Sequence, residues 1–151
     1  MADPLSIAAS IAGLVAAAGK VYTVVSAFID STANAPQSAA DTLAAVGEFK
    51  LALSSVQSVM NALDHLSASR KVMISLENIS ITMTSAVLTL SKLESLVCQI
   101  DGFRGRLRWV WKKKRVLNLL PRLESQKATL TLIVGVLRRH GLDFYVFTRK
   151  D

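Results

Sequence analysis

The sequence predicts an all-α protein, a four-helix bundle with the fourth helix kinked or split near Pro121, and three observations predict it. Of 151 residues 51% are hydrophobic but only 6% aromatic, with 7 Gly and 3 Pro, which suits compact helices better than sheets or disorder. Apolar residues recur in alternating steps of four and three along four separate stretches, the seam of helices that pack together. The breaks between those stretches are mostly short, as antiparallel neighbours require. A chain of this length buries roughly two thirds of its extended surface without staples, so residues 1–151 read as one domain.

The first helix is read over residues 3–31. Asp3 supplies an N-cap oxygen and Pro4 suits the first helical position. Its seam is Ile7, Ile11, Leu14, Ala18, Val21, Val25 and Phe28, and Lys20 is its one charge between Asp3 and Asp30. From Pro4 to Ile29 it measures roughly 39 Å at 1.5 Å per residue, enough to cross the ~30 Å hydrocarbon core of a bilayer. A second row of small residues, Ala9, Gly13 and Ala17, repeats every four positions; this spacing lets helices approach closely in lipid, and Ala-rich helices also show it by chance. No basic segment precedes the run, which argues against a cleaved signal peptide, with Ala16 to Ala18 the one feature in its favour.

Asn34 and Pro36 break the chain between Asp30 and Gln37. The second helix starts near Gln37 or Ser38, carries Leu43, Val46, Phe49, Leu53, Val56, Met60 and Leu63, and ends in the Ser-rich turn His65 to Ser69. His65 reads as a surface residue or a partner of the helix C-terminus. The third has the cleanest repeat: Val72, Leu76, Ile79, Met83, Ala86, Leu90, Leu93, Val97 and Ile100. Its many Thr and Ser are weak helix formers, so packing must supply much of its stability. Cys98 reads as a small buried hydrophobe.

Asp101, Gly102 and Gly105 mark the last turn. The fourth helical region runs from about Leu107 to Arg139, and Pro121 should kink or split it because it removes a backbone donor. Leu123, Leu130, Val134 and Leu137 form the later seam, with Lys127 where an apolar residue is expected. Gly141 is the expected helix stop, and the tail 141–151, with Phe144, Tyr145 and Phe147, should fold back on the bundle.

The net charge of +7 is concentrated. Between Ile100 and Lys127 nine basic residues face two acidic ones, whereas the rest of the chain has nine of each. The excess points to an anionic partner: lipid head groups, nucleic acid or an acidic protein face. One cysteine excludes an internal disulfide and suits a reducing compartment, and the separated His65 and His140 lack metal-ligand spacing. There is no phosphate loop, nucleophile elbow or carboxylate cluster, so the reading is of a non-enzyme without cofactor or metal.

The remaining chemistry is that of surfaces. Arg104, Arg106, Arg108, Lys112, Lys113, Lys114 and Arg115 interleave with Trp109 and Trp111, a mixture suited to an anionic membrane interface. RNA could be bound by the same mixture through phosphate contacts and stacking. A plain solvated basic face with one tryptophan in the core is the competing structural reading. The spanning-length first helix tilts the choice to membrane, since nucleic-acid binding leaves that helix unexplained.

The opening MADPLSIAASIAGLVAAAGKVYTVVSAFI and the later RLRWVWKKKRVLNLLPRLESQKATLTLIVGVL closely resemble the fungal HeLo-like domain found at the head of STAND (NLR-type) receptors. The start and the RLRW block, followed by a helix with Leu123, Lys127 and Leu130, carry the likeness; the middle helices match in pattern more than in residues. Pro121 departs from that family's leucine-rich helix and argues against a continuous fourth helix. The resemblance implies a cell-death execution domain, similar also to the four-helix region of the necroptosis executioner. Such a domain is cytoplasmic and restrained at rest by receptor regions or released by another clustering partner; it then homo-oligomerises and permeabilises the plasma membrane.

Carried onto this chain, the inserting residues are Leu5, Ile7, Ile11, Gly13, Leu14, Val15, Val21, Val25 and Phe28. The head-group ligands are the seven cations with Trp109 and Trp111, anionic lipids are the partner, and nucleic acid is disfavoured. Lys20 must then face the assembly interior or a water-filled pore. The rival is a helical adaptor or oligomerisation module that never enters lipid.

Overall fold

The computed structural model describes residues 4–63, 70–100 and 104–148, and the side chains of residues 6–62, 74–100 and 104–139. Four helices follow in order: α1 (Pro4–Ser31), α2 (Gln37–Leu63), α3 (Arg70–Val97) and α4 (Gly105–Thr148). There is no strand among the described residues. Packing joins α1 to α2, α2 to α4, α4 to α3 and α3 to α1, so α1 and α4 stand on one diagonal of a square bundle and α2 and α3 on the other.

Apart from Leu43 on α2 and position 127 on α4, each seam expected from spacing is the buried one wherever side chains are described. On α1 it is Ile7, Ile11, Leu14, Ala18, Val21, Val25 and Phe28; on α3 it runs from Leu76 and Ile79 to Val97 and Ile100. In α2 the stripe holds from Val46 to Met60, while Leu43 is half-buried because Ala39 and Thr42 take the innermost places at that end. The Thr42 hydroxyl tolerates burial by donating to the Ser38 carbonyl at 2.7 Å.

Four expectations change. Pro121 does not split α4, which is helical without interruption from Gly105 to Thr148. The proline ring is exposed, so its missing donor opens no apolar interior. Gly141 does not stop the helix either. Cys98 is exposed, not buried, because it follows the buried Val97 at the very end of α3. On α4 the inward residue between Leu123 and Leu130 is Gln126, not Lys127. Its Nε2 donates to Ser85 Oγ at 2.8 Å and to Thr89 Oγ1 at 3.0 Å, while its Oε1 has no partner among the described residues. Asp3, His65, His140 and the side chains of Leu5, Leu63, Val72 and the tail 140–151 lie outside the described residues.

One end of the bundle gathers the last turn of α1, the first of α2, the last of α3 and the first of α4. Asn34 sits in the left-handed region at φ 57° in the α1–α2 turn, a conformation asparagine tolerates. Gly105 starts α4 against the end of α3, where a Cβ would fall 2.2 Å from the Ile100 carbonyl oxygen. Only glycine permits that approach.

Candidate functional site

The sequence-predicted site residues fall into two places. The first is α1. Its segment Ser6–Ser31 is long and apolar enough to cross a membrane, and 33% of its apolar stretch is buried. Of the residues expected to insert, Ile7, Ile11, Leu14, Val21, Val25 and Phe28 are buried in the seam, Val15 is half-buried and Gly13 is exposed. The outward face carries Ser6, Ala9, Ser10, Ala12, Gly13 and Ala16. A Cβ at Gly13 would meet nothing within 4 Å. So the exposed side of α1 is small and nearly uncharged, whereas bundle helices ordinarily carry charge there.

Several polar side chains of α1 are partnered within the protein. Ser10 Oγ donates to the Ser6 carbonyl at 3.0 Å and Thr23 Oγ1 to the Gly19 carbonyl at 2.9 Å. Hydroxyls bonded to their own helix carry that bond wherever the helix goes, which lowers their cost in an apolar medium. Lys20 reaches across to α3 and pairs with Glu94 at 2.6 Å. In the bundle its charge thus faces a neighbouring helix at the surface, with 61% of the side chain exposed.

The second place is the start of α4, and here one expected ligand moves. Trp109 is fully buried: its ring stacks on Phe28 of α1 with centroids 5.6 Å apart, and its Nε1–H donates to Ser38 Oγ of α2 at 3.0 Å. It is a core anchor joining three helices and leaves the list of head-group ligands. Trp111 is the opposite, with 74% of its surface exposed.

Arg104, Arg106, Arg108, Lys113, Lys114 and Arg115 are exposed and Lys112 is half-buried. Arg108 donates to the Gln99 carbonyl at 2.8 Å and Lys112 to the Gln99 side chain. No acidic residue lies between Arg104 and Arg115 in the sequence.

Spacing alone did not single out Leu107 and Val110. Both are exposed, at 50% and 60%, and Val110 and Trp111 stand three and four residues on from Leu107, on the helix side opposite buried Trp109 and Val116. The signal was present as an apolar i, i+3, i+4 set inside a cationic run. Among the described residues, no group of three or more His, Cys, Asp or Glu could hold a metal ion.

No family model, curated protein or solved structure matches this chain.

Proposed function

We propose that this protein is a membrane-permeabilising execution domain: cytoplasmic while its bundle is closed, drawn to the plasma membrane by the cationic start of α4, and inserting α1 after homo-oligomerisation. The observation that carries the reading is α1 itself, a spanning-length helix with an apolar seam, a small and nearly uncharged outer face, hydroxyls bonded within the helix and, before the closing Asp30, Lys20 as its one charge. Releasing it exposes six large apolar side chains at roughly 1.5 to 3 kcal/mol each, on the order of 10 kcal/mol together. Lipid or other protomers must offset that cost, which is why clustering is part of the mechanism. Lys20, paired with Glu94 in the bundle, then faces the interior of the assembly or its pore. The likeness to HeLo-like domains in the opening residues and the RLRW block supports the same reading, with receptor regions or a clustering partner as the restraint. The reading assigns no enzymatic role and no cofactor.

Ala12 and Ala16 test it, because both are exposed in the bundle and would be in hydrocarbon after insertion. Ala12→Glu/Ala16→Glu should keep the helical signal and melting temperature while abolishing dye release from anionic vesicles. Undiminished leakage from that variant would sink the proposal.

One observation favours the rival adaptor. Ile74, Ile81 and Leu88 are exposed at seven-residue intervals along α3, a stripe that suits helix-to-helix association without lipid. That reading expects concentration-dependent oligomers in vesicle-free buffer and no leakage at any concentration.

A further inference from the structure

The start of α4 has a more specific shape than a basic patch. Leu107, Val110 and Trp111 form a contiguous apolar strip, continued one turn on by Lys114. Arg104, Arg108 and Arg115, spaced by four and seven, line one edge; Arg106 and Lys113, seven apart, line the other. An exposed apolar ridge between cationic borders matches the section of a bilayer at its surface, where apolar groups reach the acyl boundary and cations meet anionic head groups. An indole is favoured at that depth. Single-stranded RNA would use the cations and Trp111 but leave Leu107 and Val110, which neither stack nor hydrogen-bond, without a role.

The topology adds the second half of the argument. α4 packs on α2 and α3, as α1 does, and α1 and α4 lie on a diagonal. Among the described residues, Phe28 of α1 stacks on Trp109 of α4 at the bundle's end. An outward face of α4 set against a surface therefore leaves the outward face of α1 pointing away from it.

We infer that the closed bundle docks side-on upon an anionic bilayer through Leu107, Val110 and Trp111 with their flanking cations, holding α1 on the far side. This rests on the membrane reading above and adds a bound, non-leaking state that precedes insertion. First contact and entry are separate events, made by opposite sides of the molecule.

The test uses the full chain and phosphatidylcholine vesicles with or without phosphatidylserine. Leu107→Ser/Val110→Ser/Trp111→Ser changes only exposed positions, so its melting temperature should match the parent. Its binding in flotation should fall at least about tenfold on anionic vesicles, given the apolar area withdrawn from the interface. Tryptophan emission of the parent should shift to the blue on anionic vesicles, and Trp111→Phe should remove the shift, since Trp109 is already buried.

For the second claim, Lys20→Cys/Glu94→Cys/Cys98→Ser is closed with a short bis-maleimide, tying α1 to α3 where the ion pair shows them adjacent. The tied protein should float like its untied form and release no dye. Undiminished binding by the serine triple variant, absence of the Trp111 shift, or failure of the tied protein to float would each overturn the inference, as would a parent that ignores vesicles while binding single-stranded RNA. If the triple variant still leaks dye as the parent does, docking fails and permeabilisation stands. If the parent binds through the strip yet never leaks, docking stands and permeabilisation fails.

Discussion

The two helices on the diagonal, α1 and α4, show water very different faces. From Ser6 to Asp30 the exposed positions of α1 are Ser, Ala, Gly, Thr, Tyr22, Lys20 and the closing Asp30. Over Arg104 to Arg115, half that length, α4 presents seven cations around an apolar strip. The first face is nearly neutral toward its medium, because small side chains neither demand water nor expose much hydrocarbon. The second can meet an interface but cannot enter one, since each cation taken to mid-membrane costs several kcal/mol. On the proposed membrane reading, α1 is the helix that changes solvent and α4 the one that selects a surface, and the restraint on α1 lies in its buried seam rather than on its outside.

Within the α4 block the sharpest contrast is two residues wide. Trp109→Ala should cost about 3 to 5 kcal/mol by removing a buried indole, its stack on Phe28 and its bond to Ser38. At roughly 2 to 4 °C per kcal/mol for a chain of this size, the melting temperature should drop by about 10 °C. Trp111→Ala should stay within about 0.5 kcal/mol of the parent and weaken only vesicle binding. Equal melting temperatures for the two variants would erase the distinction between anchor and ligand.

The next largest effect concerns charge. Lys113→Gln/Lys114→Gln/Arg115→Gln removes three exposed cations at roughly 1 kcal/mol each on an anionic surface, about 100-fold in partitioning. Thermal stability should be unchanged, and added salt should narrow the gap because the attraction is screened. If the loss were as large on neutral vesicles, the cations would not be reading lipid charge.

Helix number, the seams of α1 and α3 and the location of the charge were legible in the sequence because a 3.5-residue repeat and a local charge excess need no tertiary information. What escaped depended on neighbours. The choice between Trp109 and Trp111 turns on rotation about the α4 axis: two adjacent outward-and-inward positions look alike in a cationic run, and Phe28, which decides the matter, is far away in sequence. Lys127 was set in the seam because the step of four from Leu123 allowed it. The step of three leads instead to Gln126, whose amide is accepted because Ser85 and Thr89 of α3 supply oxygen partners. Of the kink or split expected at Pro121, the split did not occur, because a proline is tolerated within a helix where its turn is exposed, as it is here. As for the candidate site, the buried seam of α1 was readable from spacing, whereas Leu107 and Val110 gained meaning only once their exposure was known.

On α1 the comparison can be sharpened at its one charge. Lys20→Met removes the pair with Glu94 and the only ionic group between Ser6 and Ile29. The bundle should still fold, because surface pairs hold little stability. Leakage should begin at roughly tenfold lower protein concentration, as no charge then has to be accommodated at mid-depth. A variant that folds but leaks less would mean that Lys20 assists insertion rather than burdening it, and a change in ion selectivity would choose the pore over the assembly interior as its place.

Its counterpart on α4 gives the smallest effect and the clearest sign. Lys127 meets Glu48 of α2 at 2.6 Å and Glu124 of its own helix at 2.9 Å, with a quarter of its side chain exposed. Its hydrogen bonds to the Glu48 and then the Glu124 carboxylate hold the ammonium above the ordinary lysine value of 10.5. A raised folded-state value means the pair's stabilisation is complete below the unfolded value and is lost as pH climbs through the folded one. Lys127→Met should therefore cost less than about 1 kcal/mol at neutral pH, and parent and variant should stay a constant distance apart in urea midpoint from pH 7 to pH 9 or so, converging only in strongly alkaline solution. Because Lys127 lies outside the α4 docking strip, vesicle binding should not change, and a loss of binding in Lys127→Met would extend the lipid-facing surface of α4 well beyond Arg115.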